Sequence, residues 1–321
     1  MGCRAVVAAT RARRPGSGGV SQSRSRSRLG RRPVLDAPAS RPYDRPMASP
    51  APRAPWYVRL APLVVLAAGV LCYAALLVVL LLTGNTTMFP ALLLVGALTV
   101  PLTVLVWAMD GPYGALAPAS VVVVAMLLGG IVGILGAGLF ESMAASALGD
   151  GYVLLVGLIE ESVKLVVPVA VLLASRGRLP HAGVLVGVAT GAGFAVLETM
   201  GYGFNALLEK GGGIGAVDAT LLLRGVLVPA GHVAWTGVVC AALWAWHSHA
   251  RHGAAATLAA YVAAVVLHTL WDASGSAPVH VVVAAVSIAG LLAVVRRAHR
   301  AQSPTVPLPL PDPGEAATSP E

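Results

Sequence analysis

The apolar residues of this chain are gathered into eight long blocks, roughly 60–82, 89–109, 118–140, 152–174, 182–206, 219–246, 254–272 and 279–297. Each is long enough to cross a bilayer core, which takes about 20 residues of helix. Backbone groups in hydrocarbon have no water to bond, so only helices and closed barrels can span it. The alternating pattern of about ten residues that marks a barrel strand is absent from this sequence. Charged residues make up 11% of the chain, against about 25% in soluble proteins. The expected fold is all-α: a polytopic membrane helical bundle of about eight transmembrane helices, occupying residues 59–299.

A net charge of +8 would suit a nucleic-acid partner if it formed a surface. Instead, thirteen of the basic residues precede the first span, from Arg4 to Arg59, and no aromatic-basic surface accompanies them. They report topology. With that arm in the cytoplasm, alternation through eight spans puts Arg176, Arg178, Arg251, Arg296, Arg297 and Arg300 inside too, leaving Lys210 as the one basic loop residue outside. Acidic Glu141, Asp150, Glu209 and Asp218 are expected in outer loops. The expected location is a multi-pass protein of the cell membrane with both termini cytoplasmic, and the Arg-rich, Lys-poor composition suggests a bacterial one.

Residues 1–58 are rich in Arg, Ser, Pro and Gly and lack the apolar mass to order a backbone. They read as a disordered tail, either touching anionic lipid or simply solvated, with Met47 an alternative initiator. No small-residue cleavage site ends the first apolar run, so a secretory signal is not expected. Residues 300–321 read as a Pro-rich cytoplasmic tail. Cys3, Cys72 and Cys240 lack metal-type spacing, and no phosphate-cradling or dinucleotide glycine motif is present.

The ionisable residues inside spans are few: Glu160, Glu161 and Lys164 in the fourth, Glu198 in the fifth, Arg224 and His232 in the sixth, His268 and Asp272 in the seventh. A charge near the membrane centre costs at least about 2.5 to 3.5 kcal/mol, so such residues are compensated or face a polar cavity. Glu160 and Lys164 are i,i+4, and Glu161 and Lys164 are i,i+3, so one ammonium can lean against both acids. A structural ion pair is the plain alternative, but one Lys cannot neutralise two acids. His268 and Asp272 are i,i+4, letting the carboxylate orient the imidazole. A lone buried His is usually a packing residue, and Arg224 near the span's end can simply snorkel. Gly187, Gly191 and Gly193 ahead of Glu198 offer close helix approach. His247, His249, His252 and His299 read as solvated residues of basic loops. From the rise per residue, Glu160 and His232 fall near mid-membrane, Glu198 and His268 somewhat outward, and Arg224 and Asp272 near the outer boundary, so all can line one cavity open to the outer side.

EESVK at 160–164, GFAVLE at 193–198, LRGVLVPAGH at 223–232 and HTLWD at 268–272 occur in that order. Together they resemble the PrsW-type intramembrane protease family, which is related to the CAAX prenyl endopeptidases and Abi proteases, over roughly residues 120–275. The resemblance implies a protease that makes the site-1 cut in a single-pass anti-sigma factor. It carries Glu160, Glu161, Glu198, His232 and His268 over as the candidate catalytic set. Thr199 stands where the family usually has Asn, as does Asp272, and the acid often found before the Gly-rich span is missing before Gly183. A charged Asp272 cannot donate to an oxyanion as an Asn amide can.

Amide hydrolysis needs an activated water, a donor for the developing oxyanion and an acid for the leaving amine. The expected assignment has Glu160 activating water and Glu161 with Lys164 setting its charge state and orientation. His232 or His268 then stabilises the oxyanion or protonates the amine. Glu198 with His232 and His268 could instead hold a zinc ion; HExxH is absent, related glutamate-type proteases are described as metal-free, and no cofactor is expected. A proton-coupled transporter would also place acids and His across a bundle. No inverted repeat is visible, however, since the EE helix has no counterpart in the first half. A non-catalytic scaffold is the third alternative.

Overall fold

The computed structural model describes residues 58–109 and 116–302. These form ten α-helices, with no strand among the described residues: α1 (Ala61–Thr83), α2 (Phe89–Met109), α3 (Ala119–Leu148), α4 (Val153–Lys164), α5 (Val166–Ser175), α6 (Gly183–Leu208), α7 (Ile214–Leu227), α8 (His232–His247), α9 (Gly253–Ala273) and α10 (Ala277–Ala301). Of the expected tails at 1–58 and 300–321, residues 1–57 and 303–321 lie outside the described residues. The bundle itself runs to Ala301, two residues past the expected end at 299.

Seven helical stretches are long and apolar enough to cross a membrane. One of them, Ala119–Ser175, would be about 85 Å long if straight, far more than a bilayer core. It turns back at Gly149–Tyr152, where Gly149 takes φ 56°, and α3 packs against both α4 and α5. Counted on either side of that turn, this stretch supplies the third and fourth of the expected spans. α3 outruns its apolar block by two turns, so Glu141 lies within a helix and not in a loop. Asp218 is likewise helical, in α7, where it accepts a hydrogen bond from Tyr73 of α1 at 2.5 Å.

Two expected spans are broken, each near a proline. Pro168 has no N–H for the carbonyl of Lys164, so α4 stops at Lys164 and a tight turn, Leu165 N–H to Ser162 O at 3.2 Å, leads into α5. In the sixth span a short 3-10 turn, Val228–Ala230, contains Pro229, and Gly231 leaves helical geometry at φ −115°, ψ −125°. α8 then starts at His232, which places that imidazole at a helix end facing the interior.

α6 is the hub, with 83% of its spanning window buried, and packs against α2, α3, α7 and α8. Glycine makes this density possible, because helices in lipid associate through van der Waals contact and small residues let backbones approach. A Cβ on Gly183, Gly187 or Gly191, one turn apart, would strike Trp244 and Cys240, Thr236, or the carbonyl of His232 on α8; one on Gly193 would strike Met126 and Gly130 of α3. Gly191→Ala is expected to destabilise the bundle by about 1 to 3 kcal/mol through overpacking. Gly138→Ala, where nothing lies within 4 Å, is expected to be neutral or slightly stabilising. Thermal unfolding of both variants in the same detergent checks this.

The bundle's far end is tied by His299, which is buried rather than solvated: its Nε2–H donates to Ala108 O at 2.9 Å, joining α10 to the last turn of α2.

Candidate active site

Glycine and a hydroxyl pair set α4 against α9. Gly157 leaves no room for a Cβ beside Thr269 and the carbonyl of Val265, and Ser162 and Tyr261 share a hydrogen bond of 2.6 Å. This turns Glu160, Glu161 and Lys164 toward His268 and Asp272. α8, held against α6 by the glycine ladder, adds His232 next to Glu198 of α6. With Arg224 paired to Glu198, the structure thus brings all eight ionisable residues found within spans into one cluster.

Lys164 is its centre. The ammonium is fully buried, bonded to Glu161 Oε1 at 2.7 Å, paired with Glu160 Oε2 at 3.3 Å, and 2.8 Å from His232 Nδ1. Below it lies the ring of Phe194, with Nζ 4.3 Å from the centroid. An ammonium only donates, so His232 Nδ1 must accept and its proton sits on Nε2, which donates to Glu198 Oε2 at 2.8 Å. The tautomer of His232 follows from its two neighbours.

His268 is flanked by acids. Nδ1 lies 3.0 Å from Glu161 Oε1, while Nε2 lies 3.2 Å from Asp272 Oδ2 and 3.5 Å from Glu160 Oε2. Only a ring with a proton on each nitrogen donates to both sides. Trp235 stacks on this ring at 4.7 Å between centroids and is itself held by its Nε1–H donating to Ser287 Oγ at 2.8 Å. Glu160 differs from Glu161 and Glu198. Its Oε2 is buried and makes no hydrogen bond, with Lys164 Nζ, His268 Nε2 and, at 3.8 Å, His232 Nδ1 around it.

Exposure rises from this centre to a mouth, where 13% of the Glu198 side chain, 24% of Arg224 and 30% of Asp272 are accessible. Arg224 does not merely snorkel. Its Nη2 pairs with Glu198 Oε2 at 2.5 Å, its Nε–H donates to Thr199 Oγ1 at 3.3 Å, and its guanidinium lies over the Tyr202 ring at 3.9 Å. Thr199, a departure from the family pattern, therefore anchors Arg224.

Sequence reasoning missed three contributors. Glu141 of α3 reaches Glu160, and its own Oε1 is buried without a hydrogen bond. The only signal available was an acid one residue past an apolar block. Phe194 and Trp235 look like packing aromatics in the sequence, and nothing there distinguishes them.

For a metal, the donor set differs from the expected one. Glu198 is engaged by Arg224 and by His232 Nε2, so the group able to hold an ion is Glu160, His232 and His268, whose ligand atoms lie within 4.8 Å of one another. Carboxylate and imidazole suit zinc, and bonds of about 2.0 to 2.2 Å in a tetrahedron put ligand atoms roughly 3.4 Å apart, close to the 3.5 and 3.8 Å found here. The unbonded Glu160 Oε2 belongs to this trio. The residues fit a zinc-type ion provided Lys164 turns away from His232 Nδ1 and His268 gives up its Nε2 proton.

No curated protein and no solved structure matches the chain. A family model described as PrsW family intramembrane metalloprotease matches residues 117–296, from just before α3 well into α10. That stretch is more than half the sequence and holds every residue of the cluster, on a multi-pass helical bundle; this chain therefore belongs to the PrsW family of intramembrane proteases.

Proposed function

We propose that this intramembrane protease hydrolyses a peptide bond of a single-pass membrane protein, such as an anti-sigma factor, with Glu160 activating the attacking water. One observation carries the assignment: Glu160 Oε2 is buried without a hydrogen bond, as Glu141 Oε1 is, but it alone of the two has the Lys164 ammonium and both imidazoles around it. A site of that polarity can hold a water. Glu160 takes a proton from it as the water oxygen attacks the scissile carbonyl carbon. The carbonyl oxygen gains the displaced electron pair and is met by the Nε2–H of His268, which lies 3.5 Å from Glu160 Oε2 on the side of the mouth. The C–N bond then breaks and the proton held by Glu160 passes to the leaving nitrogen.

Supporting roles follow from the contacts. Lys164 and Glu161 keep the charge at Glu160 balanced and hold His268 by Nδ1, and Asp272 orients the same ring from the mouth. Both nitrogens of His232 are engaged, so it positions Lys164 and Glu198. The basic ends of the bundle, by the positive-inside rule, put the termini in the cytoplasm and the mouth on the outer side of the cell membrane.

Where a zinc-type ion is bound, Glu160, His232 and His268 would hold it, and it would supply Lewis-acid polarisation of water or carbonyl. The buried ammonium of Lys164 favours the metal-free chemistry, because it already places a positive charge between Glu160 and His232. Purified protein mixed in detergent with a single-span substrate is expected to yield two peptides resolved by mass spectrometry, and to do so equally in the presence of a chelator. Loss of cleavage that zinc restores would reassign the trio as ligands. An uncut substrate, with a candidate from the same genomic neighbourhood, would favour a transporter or scaffold.

A further inference from the structure

A second site lies at the opposite end of α6 and α8 from the acids. His232 and Trp244 are twelve residues apart on α8, about 18 Å, and around Trp244 the N-terminal ends of α6 and α9 and the C-terminal ends of α8 and α10 leave a cavity of about 680 Å³. That is within the range of sites built for small ligands, about 300 to 1,000 Å³. Its walls are apolar and shallow-chained, mostly alanines, with Trp244, Ala256 and Val294 among them, whereas its rim carries His181, Arg251 and Arg297 from three different segments. No carboxylate lines it. Trp244 is not free to close it, since its Nε1–H is held by Leu179 O at 3.0 Å.

We infer that this cavity binds an anionic phospholipid, one acyl chain lying along the alanine-lined groove and the head-group phosphate between Arg251 and Arg297. The two halves of the site ask for the two halves of that molecule. An apolar groove opening between helix ends at the bilayer boundary suits a chain already dissolved in the membrane. Neither arginine has a carboxylate partner among the described residues, and a guanidinium presents a fork that matches phosphate oxygens. Basic pockets between transmembrane helices on the cytoplasmic side are a recurrent setting for acidic head groups. A zwitterionic lipid brings its own cation toward the same arginines and is disfavoured. The site shares no residue with the acidic cluster, so it stands whatever chemistry that cluster performs.

Native mass spectrometry of the full-length protein, titrated with phosphatidylglycerol or phosphatidylcholine of equal chain length, tests the inference. The expected result is one retained phosphatidylglycerol bound at least tenfold more tightly than phosphatidylcholine. In the double variant Arg251→Gln/Arg297→Gln that preference falls to nearly none. Ala256→Phe fills the groove without changing charge and is expected to lose the tight lipid while keeping the arginines. Equal retention of both lipids by the parent protein, or unchanged phosphatidylglycerol binding in the double variant, overturns the proposal. Displacement of the lipid by millimolar inorganic phosphate also overturns it, since the site would then be one for a free anion.

Discussion

Glu160→Gln is expected to reduce peptide-bond cleavage by about a thousand-fold, the middle of the roughly 10²- to 10⁴-fold that a positioned general base contributes, while the bundle stays assembled. Glutamine keeps the shape of the side chain and its place 3.3 Å from Lys164 and 3.5 Å from His268, but its amide cannot accept the proton that water must lose. The measurement is single-turnover cleavage of a single-span substrate by the purified variant, beside its thermal unfolding in the same detergent. Cleavage at the parental rate would remove Glu160 from the role of base. Poor folding of the variant would show in the unfolding curve and be told apart from a chemical defect.

The second large effect is on stability. Lys164→Met is expected to cost about 3 to 5 kcal/mol, the penalty of leaving buried charges without their partner. The ammonium has no solvent exposure and serves Glu161, Glu160 and His232 at once, so its loss strands two carboxylates that lie 2% and 6% exposed. Adding Glu161→Gln to Lys164→Met removes one stranded charge and is expected to recover more than half of the loss, without restoring cleavage. Equilibrium unfolding in mixed micelles measures both. A single variant as stable as the parent would mean that water reaches these carboxylates and that Lys164 is dispensable for the fold.

Part of this site is plain in the primary structure. The i,i+3 and i,i+4 spacings of Glu161, Glu160 and Lys164 predict the ion pairs seen at 2.7 and 3.3 Å, and the His268–Asp272 spacing predicts a contact seen at 3.2 Å, because a helix places such residues on one side. Arg224 was ambiguous for the opposite reason. Its partners, Glu198 and Thr199, sit 26 and 25 residues earlier on another helix, and no local rule joins them. The apolar block ends before Glu141 and so implies a loop there, yet α3 continues for two more turns and carries it against Glu160.

Hydropathy alone determined the all-α class and the multi-pass membrane setting, since a bilayer admits few kinds of backbone and imposes one length on each crossing. It also marked which charges needed an explanation. Only the packed structure decided which oxygen of the glutamate pair is left unbonded, which nitrogen of His232 carries the proton, and that Glu160 rather than Glu198 joins the two imidazoles as a possible ligand trio. Those outcomes depend on where separate helices cross, and the crossings are set by the breaks near Pro168 and Pro229 and by glycine contacts between residues as distant in the chain as Gly157 and Thr269, a length scale on which sequence periodicity is silent.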